Sequence, residues 1–155
     1  MKSPLAGAGV TRDDVIAATD YVVPSLEILD TRILRTDPDS GRSRIITDTI
    51  SDNAANAGLV LGRDHHAVDA FDLRWVGAIV SRDGEVEETG LGAGVLNDPV
   101  EGIVWLARRM DQYGQRIEAG QVILSGSFVR PVEAPSGSVI EADFGGFGQV
   151  AISFA

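Results

Sequence analysis

The stretch Arg74-Trp75-Val76-Gly77-Ala78-Ile79-Val80-Ser81-Arg82-Asp83-Gly84-Glu85-Val86-Glu87-Glu88-Thr89 decides the kind of fold. Two runs rich in β-branched residues flank the pair Asp83-Gly84, the strongest short-range signal for a β-hairpin. The tight turn that joins such strands needs positive φ at both central residues, which Gly adopts freely and Asp tolerates. Arg74 to Ser81 and Glu85 to Thr89 are therefore read as an antiparallel pair.

Outward on the C-terminal side, Pro99 to Tyr113 reads as a helix. Asp98 is placed to cap it, Pro99 fits its first turn, Glu101 completes a capping box, and Gly114 stops it. Val100, Ile103, Val104, Ala107 and Met110 make one apolar stripe at helical spacing. Three strands follow, at Val122 to Leu124, Val139 to Phe144 and Val150 to Phe154, with turns at Pro135-Ser136-Gly137 and Gly145-Gly146.

On the N-terminal side, Gly58 to Gly62 reads as a short buried strand and Asp48 to Ala57 as a short helix. Thr31 to Arg44, with Asp37-Pro38-Asp39-Ser40-Gly41 at its middle, reads as a loop or hairpin tip. Tyr21 to Leu29 is β-branched and aliphatic and reads as a strand, with Pro24 at an edge or bulge because it cannot donate to a ladder. Thr11 caps a helix running to about Ala18, and Met1 to Val10 is coil. Residues 1–155 thus read as a single α+β domain with a mostly antiparallel sheet and a few short helices.

The bulk numbers bound the function. The net charge of -10 repels nucleic acid and anionic membranes at long range. There is no cysteine, hence no disulfide framework or thiol chemistry. With no apolar run near 18 residues and no signal-peptide pattern, the expected location is cytoplasmic. No nucleophile elbow, P-loop or zinc-protease helix occurs. Gly92-Ala93-Gly94 lacks the third spaced glycine of a dinucleotide site, and His65-His66 reads as an exposed polar turn.

Three places remain for chemistry. Glu27 lies between Leu26 and Ile28, and alternation puts it on one face with Ser25 and Leu29. It is either a carboxylate on a solvated strand face or one held by a partner or metal. Ser125-Gly126-Ser127-Phe128-Val129-Arg130 sets two hydroxyls and an arginine fork at a strand end, which suits either a carboxylate ligand or a plain loop exit. Asp52-Asn53 reads first as a capping pair.

Three ordered stretches add a resemblance. Val23-Pro24-Ser25-Leu26-Glu27-Ile28-Leu29-Asp30-Thr31-Arg32, Asp48-Thr49-Ile50-Ser51-Asp52-Asn53-Ala54-Ala55-Asn56-Ala57-Gly58 and Gly120-Gln121-Val122-Ile123-Leu124-Ser125-Gly126-Ser127-Phe128 resemble segments of the 2-oxo-alkenoate hydratases and 4-oxalocrotonate decarboxylases. These belong to the fumarylacetoacetate-hydrolase-like group. Asp72-Leu73-Arg74-Trp75-Val76-Gly77-Ala78, Val95-Leu96-Asn97 and Ser127-Phe128-Val129-Arg130-Pro131 look most like the 2-oxo-hept-4-ene-1,7-dioate hydratases of homoprotocatechuate degradation. Ala55 stands where the monocarboxylate hydratases and the decarboxylases carry Ser.

The resemblance implies a sheet roll or barrel like the fumarylacetoacetase C-terminal domain. It implies a hydro-lyase that adds water to a 2-oxo-alkenedioate through an enolate stabilised by Mg²⁺ or Mn²⁺. Glu27 would be a metal ligand, and Asn53, Ser125, Ser127 and Arg130 would meet the substrate; no residue is assigned as the general acid or base. The family's E-x-E ligand pair and catalytic lysine lie upstream of the Glu27 segment. No E-x-E precedes Glu27 here, Glu85-Val86-Glu87 lies far downstream, and the only lysine is Lys2. The chain is thus expected to be N-terminally truncated relative to the family. Its partners would be a small 2-oxo acid and either copies of itself or a related subunit. Decarboxylation of a 2-oxo-enedioate, and a non-catalytic role as a partner subunit or gene fragment, are the alternatives.

Overall fold

The Asp83-Gly84 turn forms as the sequence predicts: in the computed structural model, which describes Met1–Ala155, φ is 52° at Asp83 and 86° at Gly84. The strands it joins are Gly77–Arg82 and Glu85–Leu91. In chain order the elements are α1 (Arg12–Ala18), β1 (Ser25–Leu29), α2 (Ile46–Ser51), β2 (Asn56–Leu61), β3 (Gly77–Arg82), β4 (Glu85–Leu91), α3 (Pro99–Asp111), β5 (Val139–Asp143) and β6 (Gln149–Ser153). All ladders are antiparallel, in a two-stranded sheet β1-β2 and a four-stranded sheet β4-β3-β5-β6. The α+β class holds. No closed barrel forms: the ladders make one two-stranded and one four-stranded sheet. No helix is long and apolar enough to cross a membrane.

The chain divides into two units. The larger comprises Met1–Pro24 and Gly62–Ala155, the smaller Ser25–Leu61. In the larger unit, α1 packs on α3. Thr11 caps α1 in a reciprocal box with Asp14. Asp98 caps α3, accepting from Val100 N and from Arg12 Nε, so the box foreseen with Glu101 is not what closes this end. Buried Val100, Ile103, Val104 and Ala107 form the predicted stripe and meet Leu5, Val10, Val15, Ala18 and Ile117 in one core. Burying each large aliphatic side chain there contributes about 1.5–3 kcal/mol. The four-stranded sheet buries Ala78, Val80, Ile140, Ala142 and Val150 on one face and leaves Ile79 and Val139 more exposed on the other.

Val122–Leu124 is not a strand. Ile123 packs against the core, but no neighbouring strand offers these residues a ladder. Alternating burial without a hydrogen-bonding partner gives only an extended segment. His66 is not an exposed turn residue either. Its Nε2 lies 2.8 Å from Phe147 O, and its ring packs with Phe71 and Phe147. His65 stacks on Tyr21 instead.

The smaller unit has little core. Only Asp52 and Ala55 are buried in it. The Thr31–Arg44 loop is a hairpin tip as expected, closed by Asp37 N to Arg42 O and Arg44 N to Arg35 O. The helix foreseen at Asp48–Ala57 begins and ends earlier, at Ile46–Ser51, and Asn56 already belongs to β2. Asp52 and Asn53 therefore follow this helix and do not cap its start. Asp48 does that, accepting from Ile45 N at 2.9 Å.

Candidate functional site

Glu27 lies at the middle of β1, opposite Leu59, on an exposed face that it shares with Leu29 and Leu61. Its solvated side answers why a carboxylate survives in an apolar strand. It is not free, however: Asn56 Nδ2 donates to Glu27 Oε1 at 2.7 Å. Sequence reasoning missed Asn56 because it read Asp48–Ala57 as a helix, whereas Asn56 opens β2. Within β2, alternation alone would turn it away from Glu27, and the register explains why it faces Glu27. Ile28 pairs with Gly58 but Leu29 pairs with Asn56, so Ala57 is an extra, bulged residue. A bulge turns the following side chain to the other face.

Beside Asn56 the backbone is strained. Asn53, Ala54 and Ala55 have φ of 52°, 54° and 65°, three consecutive non-glycine residues in the left-handed region. Each costs about 1–2 kcal/mol in that conformation. The Arg32 guanidinium spans the turn. Its Nε meets Asp52 Oδ1 at 2.5 Å, and its Nη2 donates to Asp52 O at 2.7 Å and to Asn56 O at 3.3 Å. Arg32 N adds a bond to Asp52 Oδ2, and Arg44 stands 3.9 Å from the same oxygen. Burial pushes the Asp52 carboxyl up, but the Arg32 hydrogen bonds and charge outweigh it, so its pKa lies below the ordinary carboxylate value. Asn53 is exposed, and its Nδ2 reaches forward to Asn56 O at 3.5 Å.

In the larger unit, Ser125, Ser127 and Arg130 follow the extended segment. Gly102 of α3 explains where Ser125 runs: a Cβ there would sit 2.5 Å from Ser125 O, so the helix carries a glycine where this carbonyl crosses it. Gly90 plays the same part for Phe128, whose carbonyl oxygen would lie 1.9 Å from a Cβ. The glycines around Gly92-Ala93-Gly94 thus serve close approach of backbone, consistent with discounting a dinucleotide site. Ser127 Oγ donates to Val129 O at 2.7 Å. The Arg130 side chain is 84% exposed and bonds Glu88 through Nη2 at 2.8 Å. Much of its fork remains open to a carboxylate.

A divalent metal suits Glu27 in kind. Its carboxylate is a hard oxygen donor, and Oε2 has no hydrogen-bond partner. It does not suit the chain in number, since no group of three His, Cys, Asp or Glu side chains is placed to hold an ion. Glu27 can be one leg of such a site only.

No protein-family model matches the chain. Individual proteins do. It is 48% identical over 154 residues to the 2-oxo-hept-4-ene-1,7-dioate hydratase of Escherichia coli, covering 99% of this chain and 58% of the relative. It is 37% identical to the 2-hydroxyhexa-2,4-dienoate hydratase of Comamonas testosteroni, covering 56% of it. Among solved structures, the 4-oxalocrotonate decarboxylase of Pseudomonas putida G7 superposes with a TM-score of 0.87 at 34% identity, over 99% of this chain and 56% of that one. That enzyme is complexed with calcium and acetate in one structure, and with magnesium and adipate in another. The chain spans a little more than half the length of these relatives. Over that span the chain is similar, in sequence and in fold, to the 2-oxo-hept-4-ene-1,7-dioate and 2-keto-4-pentenoate hydratases and to the 4-oxalocrotonate decarboxylase.

Proposed function

We propose that this chain contributes to a metal-assisted hydro-lyase that adds water to a 2-oxo-alkenedioate in aromatic catabolism. The 48% identity with a 2-oxo-hept-4-ene-1,7-dioate hydratase along 154 residues carries this reading. Glu27 is the proposed metal ligand of this chain, for Mg²⁺ or Mn²⁺, and the remaining ligands come from elsewhere. When bound, the cation supplies Lewis-acid polarisation of a 2-oxo acid. The chain's own part is to present the Glu27 carboxylate and to bind substrate. Arg130 is suited to a substrate carboxylate because its guanidinium offers paired donors, and a ligand there would share or displace the Glu88 contact. Ser125, Ser127 and Asn53 complete the proposed substrate contacts. The setting is the cytoplasm, in an assembly with further copies or a related subunit. The likeness to the decarboxylase structures supports one other reading, loss of CO₂ from a 2-oxo-enedioate.

The test replaces the matching 154 residues of the Escherichia coli hydratase with this chain. Loss of dienol ultraviolet absorbance with Mg²⁺, without CO₂ release, is expected. Glu27→Ala should lower that rate at least 100-fold, since it removes a ligand to the charge-stabilising ion. A folded chimera that releases CO₂ instead assigns the decarboxylase reaction. One that is indifferent to Glu27→Ala removes Glu27 from the metal site.

A further inference from the structure

We infer that Asn56 is a positioning residue for Glu27, and that the bulge at Ala57 and the Arg32-bridged left-handed turn exist to aim it. The inference rests on reading Glu27 as a metal ligand, and it adds to that reading the group that fixes the ligand's direction. A glutamate on an exposed strand has several rotamers of similar energy, so an unrestrained Glu27 would lose conformational entropy on meeting an ion. The Asn56 amide removes that freedom at one oxygen, 2.7 Å away, and leaves Oε2 unengaged. Such a neutral donor orients a carboxylate without competing for it, as a lysine would.

Three features of the backbone converge on this one contact. The bulge transfers Asn56 to the face of Glu27, because Leu29 rather than Asp30 becomes its partner. The left-handed run Asn53–Ala55 delivers the chain into β2 immediately before Asn56. Arg32, itself three residues beyond β1, ties both ends of that run, through Asp52 O and Asn56 O. Asp30 N also donates to Ala55 O at 2.9 Å. The turn buries Asp52 and Ala55, the two buried residues of this unit. Beyond that burial, its route sets a side-chain amide against Glu27.

The test is nuclear magnetic resonance of the labelled 155-residue chain. Side-chain methylene relaxation should show Glu27 ordered in the wild type and, in Asn56→Ala and the shape-conserving Asn56→Asp, as mobile as exposed Glu85. Arg32→Met, which has no donor to bridge the two carbonyls, should loosen Glu27 as well, although Asn56 is intact. Unchanged Glu27 order in both Asn56 variants would overturn the inference. Mn²⁺ titration of the chimera with the Escherichia coli hydratase, by water-proton relaxation, gives a second readout: Asn56→Ala should weaken binding about tenfold, as loss of an orienting partner does. Equal, measurable Mn²⁺ affinity with and without Asn56→Ala would also overturn it. If Glu27→Ala leaves Mn²⁺ binding unchanged, or the unsubstituted chimera binds none, the metal reading fails for this chain. The Glu27 order parameters then decide the positioning claim by themselves.

Discussion

The two units are held by different forces. The larger unit has an apolar core in which Ala107 and Ile117 are completely buried and Val15 nearly so. The smaller one buries a charged residue, Asp52, and a single Ala55, while Leu34, Ile46 and Ile50 stand open to solvent. The metal-ligand candidate sits on the unit without a core. Its order rests on hydrogen bonds to charged groups, which are directional but titrate, compete with water and open locally at low cost. The larger unit has its apolar core in addition to such contacts, and burial of apolar area does not itself titrate. The contrast makes distinct demands on each unit.

The largest effect should come from the core. Ile117→Ala removes a wholly buried side chain that also stands at the Leu5–Ile117 bridge, and should cost about 3 kcal/mol in denaturant unfolding. A loss under about 1 kcal/mol would mean that this core is far looser than its burial indicates. Next is Gly90→Ala. Its Cβ would fall 1.9 Å from Phe128 O, a backbone atom that cannot swing aside. Overpacking of this kind costs about 1–3 kcal/mol and should displace the segment carrying Ser127 and Arg130. Amide shifts confined to the site of substitution would contradict that account.

These residues also mark how far the sequence could be read. The β3–β4 hairpin and α3 were legible because their signals are local: Asp83-Gly84 in one case, Asp98-Pro99 with an apolar stripe in the other. Val122–Leu124 was misread because strand formation depends on a partner elsewhere in the chain. Asp52 was misread as a cap because its carboxylate is taken by Arg32, a partner from a different part of the chain. Glu27 was legible as an anomaly, a carboxylate among aliphatic neighbours. Asn56 was not, because it was read inside a helix that in fact ends at Ser51, and no local residue type announces the one-residue bulge that turns it toward Glu27. Gly90 and Gly102 were visible as glycines, but the carbonyls that need them come from 38 and 23 residues onward, Phe128 and Ser125.

A third effect separates the units by pH. The Asp52 carboxyl has a pKa held below its unfolded value near 3.8 by Arg32. A depressed carboxylate gives stability that is present above the unfolded value and lost as pH falls through the folded one. Hydrogen exchange at Asn53–Asn56 should therefore accelerate below about pH 4. Asp14 and Asp37 are lowered too, by Thr11 and by Ser40, so each reports on its own turn in the same range. The core amides of α3 should stay protected throughout this range. Simultaneous loss of both sets would show that the two units open as one, and the distinction drawn above would fail.

The smallest effect is the most discriminating. Ile46 and Ile50 lie one turn apart on α2 and are 70% and 68% exposed, so they make few contacts that a smaller side chain could lose. Ile46→Ser and Ile50→Thr should each change unfolding stability by no more than about 0.5 kcal/mol in dilute solution, as surface substitutions do. Helix propensity changes by only tenths of a kcal/mol in these exchanges. The same two substitutions in the Ile117→Ala background should add without coupling, because sites with no shared partners are independent. A loss above about 1 kcal/mol that grows with protein concentration would mean that these isoleucines are covered in solution by another copy. In that case the smaller unit has a core after all, supplied from outside the chain.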